Sequence, residues 1–206
     1  MDTKTQMIGA RDYLFAAIIG GSFGLFSIPI LKNIDLPFIP LNIGTYAAIV
    51  IFFAVFAVLA IWTAALIGKT IPVVFQFAKF SAIGAFNTFL DWGILNILII
   101  ATGIAAGAGY SIFKAFSFII ATFGSYFWNK HWAFQSKQKT SGKELGSFLL
   151  VSAIGMIINV SLASFIVISS VFDLSPERLA NVGAAVATIA SLLWNFIGYK
   201  FFVFKK

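Results

Sequence analysis

No cysteine occurs anywhere in the 206-residue sequence, and histidine occurs once, as His131. Disulfides, thiolate chemistry and cysteine-bound zinc or iron–sulfur centres are therefore excluded, and a lone imidazole cannot gather a histidine metal cluster. Charge is also scarce. Only 10% of the residues are charged, where a soluble domain carries roughly a quarter. The chain contains no Gly-rich phosphate loop closing in Lys-Ser or Lys-Thr, no DxD-like acidic pair and no hydrophilic stretch able to hold a nucleotide. These absences argue against an enzyme and imply neither a cofactor nor a metal.

What is present is hydrocarbon. Hydrophobic residues make up 60% of the chain and mean hydropathy is +0.98. The few charges fall between apolar stretches of about 18 residues or more, the length that crosses a bilayer. A soluble fold with very long buried helices would need far more polar surface. The pattern predicts an all-α polytopic membrane bundle of six transmembrane helices, over about 13–31, 45–67, 80–100, 110–128, 145–168 and 176–204. The N-terminal run has no convincing small-residue cleavage site and reads as a retained helix. GGSFG at 20–24 permits close helix contact, and Pro29 predicts a bend or an early end. The second run is nearly featureless and reads as packing or lipid contact. Gln76 and Lys79 interrupt residues 71–80, which read as an interfacial segment before the third span. Ser175 is placed as an N-cap, with Pro176 at the first helical position.

The net charge of +7 raises the question of nucleic acid. Position argues against it, because the basic residues sit at helix ends, where they orient the protein and meet anionic lipid. With six spans, Lys4, Arg11, Lys69, Lys79, Lys130, Lys137, Lys139, Lys143, Lys200, Lys205 and Lys206 share one side. Lys32, Lys114 and Arg178 take the other. This bias predicts a multi-pass protein of the cell inner (plasma) membrane with both termini cytoplasmic.

The chain also repeats itself. SAIGAFNTFLDWG at 81–93 aligns with SAIGMIINVSLAS at 152–164, and SYFWNKHWAF at 125–134 with NFIGYKFFVF at 195–204. The organisation expected is an N-terminal helix pair over 1–70 and a four-helix domain over 71–206. That domain would hold two parallel hairpin units, about 75–134 and 145–204. Gly84 and Gly155, with Asn87 and Asn159, are expected to face neighbouring helices rather than lipid.

Polar residues inside such spans mark where function lies. Asp91 stands near the middle of the third span, with Asn87 and Thr88 able to approach the same face. Lys114, one turn into the fourth helix, has a stem long enough to reach Asp91 or to snorkel outward. A structural Asp91–Lys114 pair and a role in substrate or proton coupling both fit. Asn129 and Lys130, flanked by Trp128 and Trp132, occupy the cytoplasmic interface, and Asn195, Tyr199 and Lys200 hold the matching zone of the second unit. Two repeat-related lysines with amide and phenol donors fit a phosphate clamp at headgroup depth, and equally an aromatic belt with positive-inside anchoring. Ser117, Thr122, Ser125, Tyr126, Asn181, Thr188 and Ser191 add a polar lining or bond helix to helix.

From about residue 75 to 204 the chain resembles the GtrA-like family of small membrane proteins. The likeness rests on KFSAIGAFNTFLDWG at 79–93, SYFWNKHWAF at 125–134, FLLVSAIG at 148–155 and the closing NFIGYKFFVF. The resemblance implies four transmembrane helices. It also implies an association with polyprenyl-phosphate-linked sugars for cell-surface polysaccharide synthesis or glycosylation, as a flippase or as the partner of a membrane glycosyltransferase. Carried onto this chain, its basic-aromatic motif is Lys79–Phe80, Asn129, Lys130, Trp132, Phe134, Lys200, Phe202 and Phe204, and its intramembrane polar motif is Asn87 and Asp91. Lysine stands where the family often has arginine, which weakens bidentate phosphate gripping. The helix pair before Ile71 is additional, and a dimerisation or partner-docking role is one reading of it. Three functions follow as expectations: translocation of a lipid-linked sugar, a scaffold recruiting a polyprenyl-phosphate glycosyltransferase, and a small ion-coupled carrier, the weakest of the three. A homo-oligomer is compatible with each.

Overall fold

The computed structural model describes residues 8–34, 40–105, 107–169 and 176–204. These residues form six long helices: α1 (Ala10–Ile34), α2 (Ile43–Gly68), α3 (Pro72–Thr102), α4 (Gly107–Trp128), α5 (Gly142–Ser169) and α6 (Pro176–Gly198). The last turns of two hairpins widen into π-helical turns, Asn129–Ala133 after α4 and Tyr199–Val203 after α6. Five of the six helices contain a described stretch long and apolar enough to cross a membrane. The protein is a multi-pass, all-α membrane protein.

Local chemistry explains the helix ends. Asn42 caps α2, its side-chain oxygen accepting from the Thr45 amide at 3.0 Å. Pro72 opens α3 without wasting an amide, and Gly103 closes it at φ +71°, a conformation that favours glycine, its amide donating to Ile99 at 2.8 Å. Between those limits α3 runs unbroken for 31 residues. Residues 71–80 are therefore continuous with the third span from Pro72 onward: Gln76 and Lys79 are polar, but both propagate a helix well. At 1.5 Å per residue α3 is roughly 46 Å long, more than a hydrocarbon core of about 30 Å, so its polar start can leave the core while the helix continues. Pro29 likewise does not end α1, which continues to Ile34 with the proline inside it.

The chain divides into two compact units, residues 1–135 and 136–206. In the first, glycines set how closely helices approach. A Cβ on Gly20 would strike the carbonyl of Phe53, and one on Gly24 would lie 2.8 Å from the Cα of Val50, so α1 and α2 touch backbone to backbone. The contact expected of GGSFG is present. Gly93 of α3 does the same against Phe26 of α1, where a Cβ would come within 2.6 Å. Ala16, Ile19, Ile61, Phe75, Phe80, Ile83, Phe86 and Leu90 form the buried core of this unit. The outward face of α2 presents Ile51, Phe52, Val55, Phe56 and Leu59, a broad exposed apolar surface.

The second unit is a hairpin of α5 and α6. A Cβ on Gly155 would collide with the Asn195 side chain and one on Gly198 with Val151, so the two helices mesh tightly. Trp194 Nε1 donates to the Val151 carbonyl at 3.1 Å. Phe148 stacks on the Tyr199 ring at 4.5 Å between centroids.

Candidate functional site

In the first unit the starts of α1 and α3 meet the end of α4. Lys79, on the first turns of α3, is completely buried and pairs with Asp12 of α1, Nζ to Oδ1 at 2.6 Å. Trp132, in the π turn, donates its indole N–H to the same Oδ1 at 3.0 Å. The Gly9 amide donates to the other carboxylate oxygen at 3.0 Å. The ammonium also lies 4.0 Å from the Phe75 ring centre and 5.9 Å from that of Trp132, and Phe15 meets Trp132 edge-on. A charge in so dry a place persists only with a charged, hydrogen-bonded partner. Asp12 is that partner, and the sequence reading passed over it. The available signal was that Asp12 and Asp91 are the acidic residues standing inside predicted or adjoining apolar runs of the N-terminal half.

The π turn itself is closed by the Phe134 amide donating to the Asn129 carbonyl at 2.9 Å, five residues back. Gln76 of α3 ties it down, its side-chain amide reaching the Ala133 carbonyl at 3.3 Å. Inside the turn Asn129 and Lys130 are buried, at 1% and 2% exposure. Asn129 Nδ2 donates to the Ser125 carbonyl at 2.8 Å, and its Oδ1 is buried without a hydrogen-bond partner. The Lys130 ammonium lies 3.4 Å from the Tyr126 hydroxyl and 5.7 Å from the Tyr126 ring centre. The exposed His131 ring packs on Phe127.

The second unit carries the same kind of turn, closed by the Phe204 amide on the Tyr199 carbonyl at 2.8 Å. Tyr199 is buried and shares a 2.6 Å hydrogen bond with the Ser152 hydroxyl. Lys200 is half-buried, its ammonium 5.5 Å from the Phe196 ring centre and 5.8 Å from that of Phe201. The Asn195 side-chain oxygen Oδ1 is buried without a hydrogen-bond partner.

Farther along α3, Asp91 accepts a 2.6 Å hydrogen bond from Ser117 of α4. The Lys114 side chain lies outside the described residues, as do Ser175 and the side chain of Asn181. Asn87 has a buried side-chain oxygen with no hydrogen-bond partner, whereas Thr88 is exposed and its hydroxyl returns to the Gly84 carbonyl of its own helix at 3.2 Å. Asn159 reaches Ser191 at 3.3 Å and Thr188 at 3.5 Å across the second hairpin, the neighbour-facing position expected. Gly84 departs from that expectation: a Cβ there would meet nothing within 4 Å, whereas Gly155 is pressed against Asn195.

Comparison with known proteins agrees with the motifs. The protein is similar to a Bacillus subtilis (strain 168) chain described as "Uncharacterized membrane protein YngA", with 29% identity over 126 residues, covering 61% of this chain and 77% of that protein. No solved structure matches it. The family model described as "GtrA/DPMS, transmembrane domain" matches residues 79–204, from the buried Lys79 to the residue that closes the second π turn, and the chain belongs to that family.

Proposed function

We propose that the protein moves a polyprenyl-phosphate-linked sugar across the inner membrane, with all six helices spanning and both termini cytoplasmic. The observation that carries this reading is a lysine set inside a π turn at the end of each hairpin, Lys130 beside Tyr126 and Lys200 beside Phe196 and Phe201. Ammonium groups held among rings rather than in bulk water keep most of their attraction for an anion. At headgroup depth the anion at hand is a lipid phosphate. The polyprenyl tail stays in lipid throughout, so the protein shields only one phosphate and one sugar. Asn87 and Asp91 on α3 supply polar groups along the sugar's route. Lys79, held by Asp12, serves to dock α1 beside the first π turn.

The phosphate step is tested by binding. Hydrogen bonds to charged groups contribute about 1.5–3 kcal/mol, so Lys130→Met and Lys200→Met are each expected to weaken binding of a short-chain polyprenyl phosphate by roughly tenfold to a hundredfold. Native mass spectrometry of the purified protein reads this directly. Unchanged binding in both variants would remove the phosphate from these turns.

A second reading has its own support. Residues 1–70 add two helices outside the family region, and α2 turns a broad face of Ile51, Phe52, Val55, Phe56 and Leu59 outward. A membrane glycosyltransferase docked on that face would make the protein a scaffold. Substitutions on the α2 face would then abolish partner capture, while Lys130→Met and Asp91→Asn would leave function intact.

A further inference from the structure

We infer that α1 and α3 form a second lipid station, in which a stretch of the polyprenyl chain lies in a groove beside Pro29 and the phosphate meets Lys32 at the outer face of the membrane. The inference rests on the proposed lipid-linked-sugar reading and supplies the place where the lipid arrives.

The groove follows from how the two helices part. α1 and α3 run in the same direction: Asp12 meets Lys79 near their starts, and Phe26 meets Gly93 farther on. At Gly93 the contact is tight, since a Cβ there would lie 2.6 Å from that of Phe26. Beyond this point Pro29 has no amide to give the Leu25 carbonyl, and its ring crowds that carbonyl. A cavity of about 480 Å³ opens here, lined by Leu25, Pro29 and Lys32 of α1 and by Ile97, Ile100 and Ala101 of α3. That volume falls in the range of about 300–1,000 Å³ typical of small-molecule sites. Leu25, Ile97 and Ile100 are exposed, so the groove is open along its side. A chain can enter it from the bilayer without crossing water.

The lining specifies the occupant. Lys32 is the one polar residue in it, and it stands at the end of the groove nearest the helix termini. Its ammonium lies 5.3 Å from the Tyr46 ring centre of α2, which holds it beside the groove. At 1.5 Å per residue, Lys32 is roughly 30 Å farther along α1 than Asp12. That is about one hydrocarbon thickness. Asp12 is bonded to Trp132 of the first π turn, so Lys130 and Lys32 mark opposite headgroup layers of one unit. A single apolar groove ending in a single ammonium matches a lipid with one chain and one phosphate. A two-tailed phospholipid would leave a tail outside it.

Photolabelling tests the station. The full chain in phosphatidylcholine vesicles is irradiated with farnesyl phosphate carrying a diazirine on its second isoprene unit, and the labelled residues are read by mass spectrometry. Label is expected on residues 25–32 and 97–101, and excess unlabelled farnesyl phosphate should suppress it. Lys32→Met should lower this labelling several-fold while leaving that by the matching farnesol probe unchanged. Ala101→Phe, which fills the groove, should lower labelling by both probes. Absence of label on these segments in the wild type, or equal label in both variants, would overturn the station. Suppression by phosphatidylglycerol as strong as that by farnesyl phosphate would overturn the assignment of its occupant. Variant-sensitive label in vesicles that show no faster flipping would keep the station and count against translocation instead.

Discussion

The cluster of Asp12, Lys79 and Trp132 shows how much one carboxylate can decide. The pair is deeply buried, with side-chain exposures of 1% for Lys79 and 11% for Asp12. Removing one member leaves the other charged and dry, at a cost of about 3–5 kcal/mol. Asp12→Ala is therefore expected to destabilise the protein by that amount in denaturant unfolding from micelles. The double change Asp12→Leu with Lys79→Met should recover most of the loss, because apolar residues of similar volume replace a buried pair at little net cost. An Asp12→Ala variant as stable as wild type would show that the pair does not hold α1. Reading the sequence alone, Lys79 could be seen to be unusual, since it interrupts an apolar run. Its partner could not be identified, because an ion pair between residues far apart in sequence leaves no spacing to detect. The same limit separates Asn129 from Ser125: both were visible as polar residues, but which oxygen lacks a partner is a property of packing.

At the scale of elements, the legible features were those with a period or a punctuation mark. The apolar runs gave six helices with ends shifted by a few residues, and at two places a residue's reputation misled: Pro29 sits inside α1, and Gln76 and Lys79 sit inside α3. The glycines at 20–24 foretold the tight α1–α2 contact. The π turns were not legible, since a backbone bond shifted by one residue has no side-chain signature, although both lie in the basic-aromatic segments that stood out on other grounds. The α1–α2 contact can be tested because the chain has no native cysteine. A Cβ at Gly21 would lie 3.9 Å from that of Ala54, within the disulfide range of about 3.5–4.5 Å. Gly21→Cys with Ala54→Cys should form an intramolecular disulfide under mild oxidation. Adding Gly20→Leu, whose side chain would collide with the Phe53 carbonyl, should abolish it. Efficient cross-linking in the triple variant would contradict the backbone contact.

For the whole molecule, composition settled the class and the motifs settled the family. The family model begins at Lys79, which in this chain is paired with a residue from outside the matched region. The additional helix pair is thus bound into the first unit through Asp12, Gly20 and Gly93 rather than appended to it. The account turns on whether this protein carries lipid-linked sugar between leaflets. The most direct measurement is the rate at which a fluorescent short-chain polyprenyl-phosphate sugar, loaded into the inner leaflet of vesicles, becomes accessible to an external quencher. Vesicles containing the purified protein should expose it much faster than protein-free vesicles, with the gain lost in Lys130→Met. Equal rates with and without correctly folded protein, across several sugars, would contradict the account.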